Sequence, residues 1–270
     1  MARTPDTVIL VADTMGSYAD ADSHARLHKL LMFPEDRMYA VASGDVSRAA
    51  QLLPCICTFL REIPKGERTF GKAQIAIAEG CFAYKHHLFT LFELPNLRLP
   101  PHAFDPNQTL EPALNEKIQE AWSQFDMGCD LVIAAFDDEG KAFLFECNAQ
   151  QHVVHNRSFP GFAAVGSGAD NALFWLSRRE HTLGLLPLRA AYHAYEAKLT
   201  AEGSAHVNEH LDIAVATVSD HWFCTTHRSL HGKKEHPDIN LSNLKRLLEE
   251  HWIKKTDDIG VVITKSASQK

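Results

Sequence analysis

The chain has 270 residues, 45% of them hydrophobic and 23% charged, with a formal net charge of -7. That length holds one large domain or two small ones, and the apolar fraction is enough for a sizeable core. The acidic balance argues against a nucleic-acid binder, and no apolar run is long enough to cross a bilayer.

Asp6 and Asp13 flank a short apolar run near the start, which is not the basic-then-apolar order of a signal peptide. The six cysteines, at 55, 57, 81, 129, 147 and 224, are irregularly spaced and mostly lie in apolar runs. They are expected to be small core residues in a reducing, cytoplasmic setting rather than a disulfide framework.

Strands are predicted over 8–12 and 38–43, bounded by acids and glycine. After Gly44-Asp45 the pattern predicts an apolar-rich helix over 46–63, bent at Pro54. A longer helix over 70–91 is expected to end by Pro95, followed by a Pro- and Asn-rich loop over 95–111. The stretch 111–125 is an amphipathic helix with Leu114, Ile118, Ala121 and Trp122 on one face. Residues 129–136 and 141–147 form a hairpin around Asp137-Asp138-Glu139-Gly140. The run 159–165 leads through Gly166-Ser167-Gly168 into a helix over 169–179, with Ser167 placed to cap it. Another helix covers 187–199, and strands cover 211–218 and 222–226. A polar, basic stretch over 227–240, a helix over 241–252, a strand over 259–264 and a frayed tail complete the chain. Two helix pairs separated by strands fit two face-to-face sheets with helices outside.

Three local patterns fall in a telling order: Val11-Ala12-Asp13 with Lys29 sixteen residues on, Ala42-Ser43-Gly44-Asp45 opening a helix, and Ala164-Val165-Gly166-Ser167-Gly168-Ala169 opening another. With Leu211-Asp212-Ile213-Ala214-Val215, they span about 7–218 and resemble the proteasome-type N-terminal-nucleophile hydrolases. The resemblance implies an α+β fold, a four-layer αββα sandwich, in a single domain over 1–270 with insertions at about 95–125 and 227–255. It implies that Asp13 orients Lys29, and that Lys29 lowers the pKa of a nucleophile at the chain's first residue. The backbone N–H at about Val41 would form the oxyanion hole, and Ser167 would relay protons near the terminal amine. No metal or organic cofactor is implied. The expected partners are a peptide or protein substrate and other copies in a homo-oligomeric ring, with the 46–63 helix as a subunit contact.

Two departures stand out. The nucleophile should precede the acid by about sixteen residues, yet only twelve residues precede Asp13. Met1 then falls about four residues inside the expected first strand, while Thr4, followed by Pro5, falls in its turn. Ser204 and Val207 stand where proteolytic members often carry an Asp and a Ser. Three explanations follow: an upstream start that supplies Thr, Ser or Cys, a non-catalytic ring or scaffold subunit, or a likeness of fold only. The first is favoured because Asp13 and Lys29 keep the family spacing.

Two other constellations remain open. Cys224, His227 and His231, with His236 nearby, have zinc-like spacing but no second cysteine pair. Asp13-Thr14-Met15-Gly16 with Asp257-Asp258 faintly resembles the metal-binding acids of PP2C-type phosphatases, a pattern broken at Ser17. The basic run 228–234 is expected to be a solvated loop.

Overall fold

A computed structural model describes residues 1–3, 6–13, 15–18, 21–26, 29–100, 103, 111–148, 154–204, 207, 212–217 and 221–225. Among these the chain is an α+β fold. Strands β1 (Ala2–Arg3) and β2 (Thr7–Ala12) precede a separate hairpin of β3 (Met15–Tyr18) and β4 (Ala21–Arg26). Then come β5 (Leu30–Phe33), β6 (Met38–Gly44), helices α1 (Val46–Glu62) and α2 (Phe70–Leu88), a short turn α3 (Leu94–Asn96) and α4 (Pro112–Gln124). Strands β7 (Cys129–Phe136), β8 (Ala142–Cys147) and β9 (Val154–Asn156) follow. Helices α5 (Ala169–Arg178) and α6 (Pro187–Ala201) and strands β10 (Asp212–Thr217) and β11 (His221–Thr225) complete the described elements.

One sheet has the order β1-β2-β10-β11 and the other β5-β6-β7-β8-β9, all neighbours antiparallel. The apolar run in β2 is buried on both faces, and strand alternation divides it. Val8 and Leu10 pack with Tyr39, Val132 and Leu144 of the second sheet. Ile9 turns the other way, onto Ala190 and Ala194 of α6. The second sheet divides likewise: Ile133 and Phe145 face α1 and α2, whereas Val132 and Leu144 face the first sheet.

Helix α1 buries Leu52, Leu53, Ile56 and Leu60 at helical spacing, and Pro54 rides its exposed side. Asp45 caps it, accepting from the N–H groups of Ser47 and Arg48. At Gly80 of α2 a Cβ would lie 2.6 Å from the Ile56 Cα, so the two helices touch through backbone. The predicted end before Pro95 is not observed. The helical path continues from α2 through a π turn, Phe89–Glu93, into α3, where Pro95 sits in the first turn and needs no N–H partner. The amphipathic reading of α4 holds: Ile118 is buried, and Trp122 packs on Phe89 and lies 4.8 Å from the buried Lys85 Nζ.

The hairpin of β7 and β8 forms as predicted, with Phe136 opposite Ala142. Strand β1 pairs with β2 where the first strand is expected, whereas β3, β4, β5 and β9 are additional to the predicted strands, because short or polar runs carry little alternation. The predicted helix over 241–252 and strand over 259–264 lie outside the described residues. Among the described residues no helix is long and apolar enough to cross a membrane.

His193 of α6 is buried, with its ring 5.7 Å from that of His181. Burial, with Arg189 and Arg179 adding repulsion, pushes its pKa from 6.5 down to about 4. The unfolded chain therefore takes up a proton in that interval that the folded chain refuses. Stability should be full above pH 6.5 and fall as pH drops towards 4, and His193→Gln should flatten that slope. Thermal melts of both proteins across this range would show it, and parallel curves would count against it.

Candidate functional site

Asp13 directly follows β2 and Lys29 directly precedes β5, so the two residues stand on different sheets. Lys29 Nζ lies 2.5 Å from Asp13 Oδ1, and the side chains are only 16% and 9% exposed. Asp13 Oδ2 is buried and has no hydrogen-bond partner among the described residues. Both side chains line a cavity of about 120 Å³ that also receives Met1, Val41, Ser43 and Ser167. All four named candidates, Asp13, Lys29, Val41 and Ser167, are thus brought to one place from four segments of the chain.

The Gly-Ser-Gly turn is shaped by close approach. Gly166 has φ 96°, and a Cβ there would lie 2.8 Å from Ser43 Oγ. A Cβ on Gly168 would lie 2.7 Å from the Ala201 Cβ of α6 and 3.0 Å from Val207 Cγ2. The turn is wedged between the end of β6 and the end of α6. Ser167 does not cap α5: Gly168 is the N-cap residue and makes no side-chain bond. The serine is exposed at the cavity instead, because Gly166 and Gly168 hold the turn against its neighbours and leave the residue between them facing out.

Val41 gives its side chain to the cavity wall. Ala42 N–H donates to Lys29 O at 2.9 Å, so alternation along β6 turns the Val41 N–H towards β7, where Val132 is opposite. The next N–H on the β5 edge after Ala42 is that of Gly44.

Met1 enters the cavity at the end of β1. Its buried α-amine donates to Ala163 O at 2.7 Å, and burial pushes its pKa down to about 5. Ala2 is opposite Ile9 and Arg3 opposite Val8, which puts Met1 opposite Leu10. Continued, that register places Asp13 opposite a position three residues ahead of Met1. Thr4 and Pro5 lie outside the described residues. Ser204 Oγ is held at 3.1 Å by Asn171 Nδ2, and Val207 lines the cavity.

Sequence reasoning missed Lys198, which is buried in the same cavity wall. The signal was a lysine set among Ala194, Ala197 and Ala201 on one helical stripe.

Of the zinc-like set only Cys224 falls in a described element, β11. His227, His231 and His236 lie outside the described residues, as do Asp257 and Asp258. Among the described residues no group of three or more His, Cys, Asp or Glu could hold a metal ion. Among the described residues five cysteines are free thiols, and burial is the main force pushing Cys57 and Cys129 up to about 12, as expected of core residues.

No family model and no curated protein matches the chain. A similar solved structure is eukaryotic HslV from Trypanosoma brucei, 17% identical, with a TM-score of 0.52, covering 80% of this chain and 97% of that one. The likeness is one of fold, and in fold the chain is HslV-like.

Proposed function

We propose that the chain is a proteasome-related N-terminal-nucleophile hydrolase that cleaves amide bonds, with peptides as substrates. We read it as a single αββα domain over 1–270 that assembles into a homo-oligomeric ring. The observation that carries the reading is the largely buried Asp13–Lys29 pair, at a cavity that Met1, next to the first strand, also lines. The HslV-like fold supports it, since HslV has the proteasome-type fold.

The β1 register supports a nucleophile carried about three residues ahead of Met1, beside Asp13 and Lys29. There a terminal hydroxyl or thiol attacks the substrate carbonyl. The α-amine of the same residue accepts its proton and passes it to the leaving amine, and water then hydrolyses the acyl-enzyme. Lys29 stabilises the developing anion, Asp13 holds Lys29, and Ser167 relays the proton at the rim. A backbone N–H at the end of β6 holds the oxyanion. Register favours Gly44 for that role over Val41, whose N–H faces β7.

The rival is an inactive ring subunit. The presence of Ser204 and Val207 where proteolytic members often carry an Asp and a Ser favours it, and the Val207 side of the cavity offers no hydroxyl. Intact mass and N-terminal sequencing of protein from its native source decide between them. A terminal Thr, Ser or Cys ahead of Met1 is expected, and a chain beginning at Met1 or Ala2 overturns the enzyme reading.

A further inference from the structure

Two buried histidines stand on the helix pair that forms one cavity wall, without lining the cavity themselves. His181 follows α5 and His193 lies on α6, with their ring centres 5.7 Å apart. Glu180, at φ 51°, makes a left-handed turn that a side chain adopts at some cost, and the turn brings the His181 N–H back to Leu176 O at 3.1 Å. His181 then meets Phe162 edge to face, again with ring centres 5.7 Å apart.

Phe162 carries this packing to the first strand. It bridges to Ala2 of β1. The next residue, Ala163, exchanges two hydrogen bonds with Met1: the Met1 α-amine donates to Ala163 O at 2.7 Å, and the Ala163 N–H donates to Met1 O at 3.1 Å. Strand β1 is only two residues long, so its own ladder holds it weakly and its position depends on what Phe162 rests on.

The surroundings oppose a proton on His193. Burial acts first, then repulsion from Arg189 and Arg179. Glu196, one helical turn on, is held by Arg179 at 2.7 Å, and Lys198 is paired with Glu202. Asp170, Arg178 and Glu180 are exposed. Strand β1 brings Arg3, and β2 carries no charged residue.

We propose that His193 and His181 are positioning residues: the uncharged His193 ring backs His181 against Phe162, which holds β1 in place, and a proton on His193 lets β1 go. The proposal rests on the hydrolase reading above, in which β1 presents the nucleophile, and it makes acid an off-switch for that site. Once Phe162 and β1 move off, His193 meets water and returns towards its ordinary pKa of 6.5. The released form therefore binds the proton more tightly, and release is favoured as pH falls below 6.5.

The test is backbone amide exchange in the full chain, followed by NMR from pH 7.5 to 5.5 and corrected for the intrinsic pH dependence of exchange. The Ala163 N–H should be at least about tenfold less protected than that of Ile133 in the second sheet, because β1 is released without global unfolding. Its protection should fall about tenfold more over this range in the unaltered protein than in His193→Gln. The buried Met1 α-amine, pushed down to about 5, adds a pH dependence common to both proteins, and the comparison cancels it. Equal slopes in the two proteins, or equal protection of Ala163 and Ile133 at every pH, overturns the proposal. If His193→Gln fails to fold, the ring resonances of the unaltered protein decide. Loss of protection at Ala163 should track the His193 titration, and titration without that loss overturns the proposal as well. Acid release of β1 in a native protein that cleaves no amide overturns only the hydrolase reading.

Discussion

Lys29→Ala is expected to cut amide hydrolysis by the native, fully extended chain by about a thousandfold, the usual scale for losing a group that assists proton movement in the transition state. The reason lies in the Asp13–Lys29 pair. Lys29 Nζ is 2.5 Å from Asp13 Oδ1, and both side chains are largely withdrawn from water. An attacking oxygen beside them gains from that fixed positive charge as its own negative charge develops. The substitution also leaves Asp13 buried without its cation, and Asp13 Oδ2 already has no partner among the described residues. A loss of about 2 kcal/mol in stability should accompany the lost turnover, discounted for the residual exposure of the pair. Asp13→Asn should recover part of that stability in the Lys29→Ala background without restoring activity. Single-turnover rates on a fluorogenic peptide amide, beside urea melts, separate the two effects. Activity within threefold of the unaltered protein would remove Lys29 from the mechanism.

Gly80→Ala should lower stability by about 3 kcal/mol, the upper part of the range for overpacking a core. A Cβ at residue 80 would stand 2.6 Å from the Ile56 Cα and 3.1 Å from the Ile56 N. Those are backbone atoms of α1 and cannot swing aside, so the helix pair must part. Separation would open the cluster of Leu52, Ile56, Ile77 and Cys81 that covers the second sheet. Gly71→Ala, in the same helix, is the contrast. Nothing lies within 4 Å of its added Cβ, and a gain of about 0.5 kcal/mol is expected from reduced unfolded-state freedom. Urea midpoints for the two variants should therefore move in opposite directions. A Gly80→Ala midpoint unchanged from the parent would show that the helices part at no cost.

Much of the fold was legible where a strong local pattern coincided with the final environment. The hairpin of β7 and β8 carries two apolar runs around an acid-and-glycine turn. Helix α4 shows Leu114, Ile118, Ala121 and Trp122 at helical spacing, and that face is the one that packs. The end of α2 was misjudged because Pro95 marks a break only in a helix interior. A π turn ahead of it changes the register and leaves the proline in a first turn. Strands β5 and β9 are four and three residues long, too short for alternation to distinguish them from loop.

At the candidate site, the resemblance to the proteasome-type N-terminal-nucleophile hydrolases nominated Asp13, Lys29, Val41 and Ser167, carried by motifs that each lie within a few residues of sequence. Three features waited for the tertiary structure. The direction of the Val41 N–H depends on pairing with both β5 and β7, and pairing is a property of strands far apart in sequence. The need for glycine at 166 and 168 comes from Ser43, Ala201 and Val207, which the chain brings in from β6, from α6 and from beyond it. Lys198 is an ordinary lysine on a helix until α6 packs against the first sheet and buries its alanine stripe; only then is it buried in a cavity wall. The sequence by itself determined the periodicities and the local chemistry, because those act within a few residues. Burial, register and the convergence of charges were decided by the packed chain, because each depends on what lies across the core.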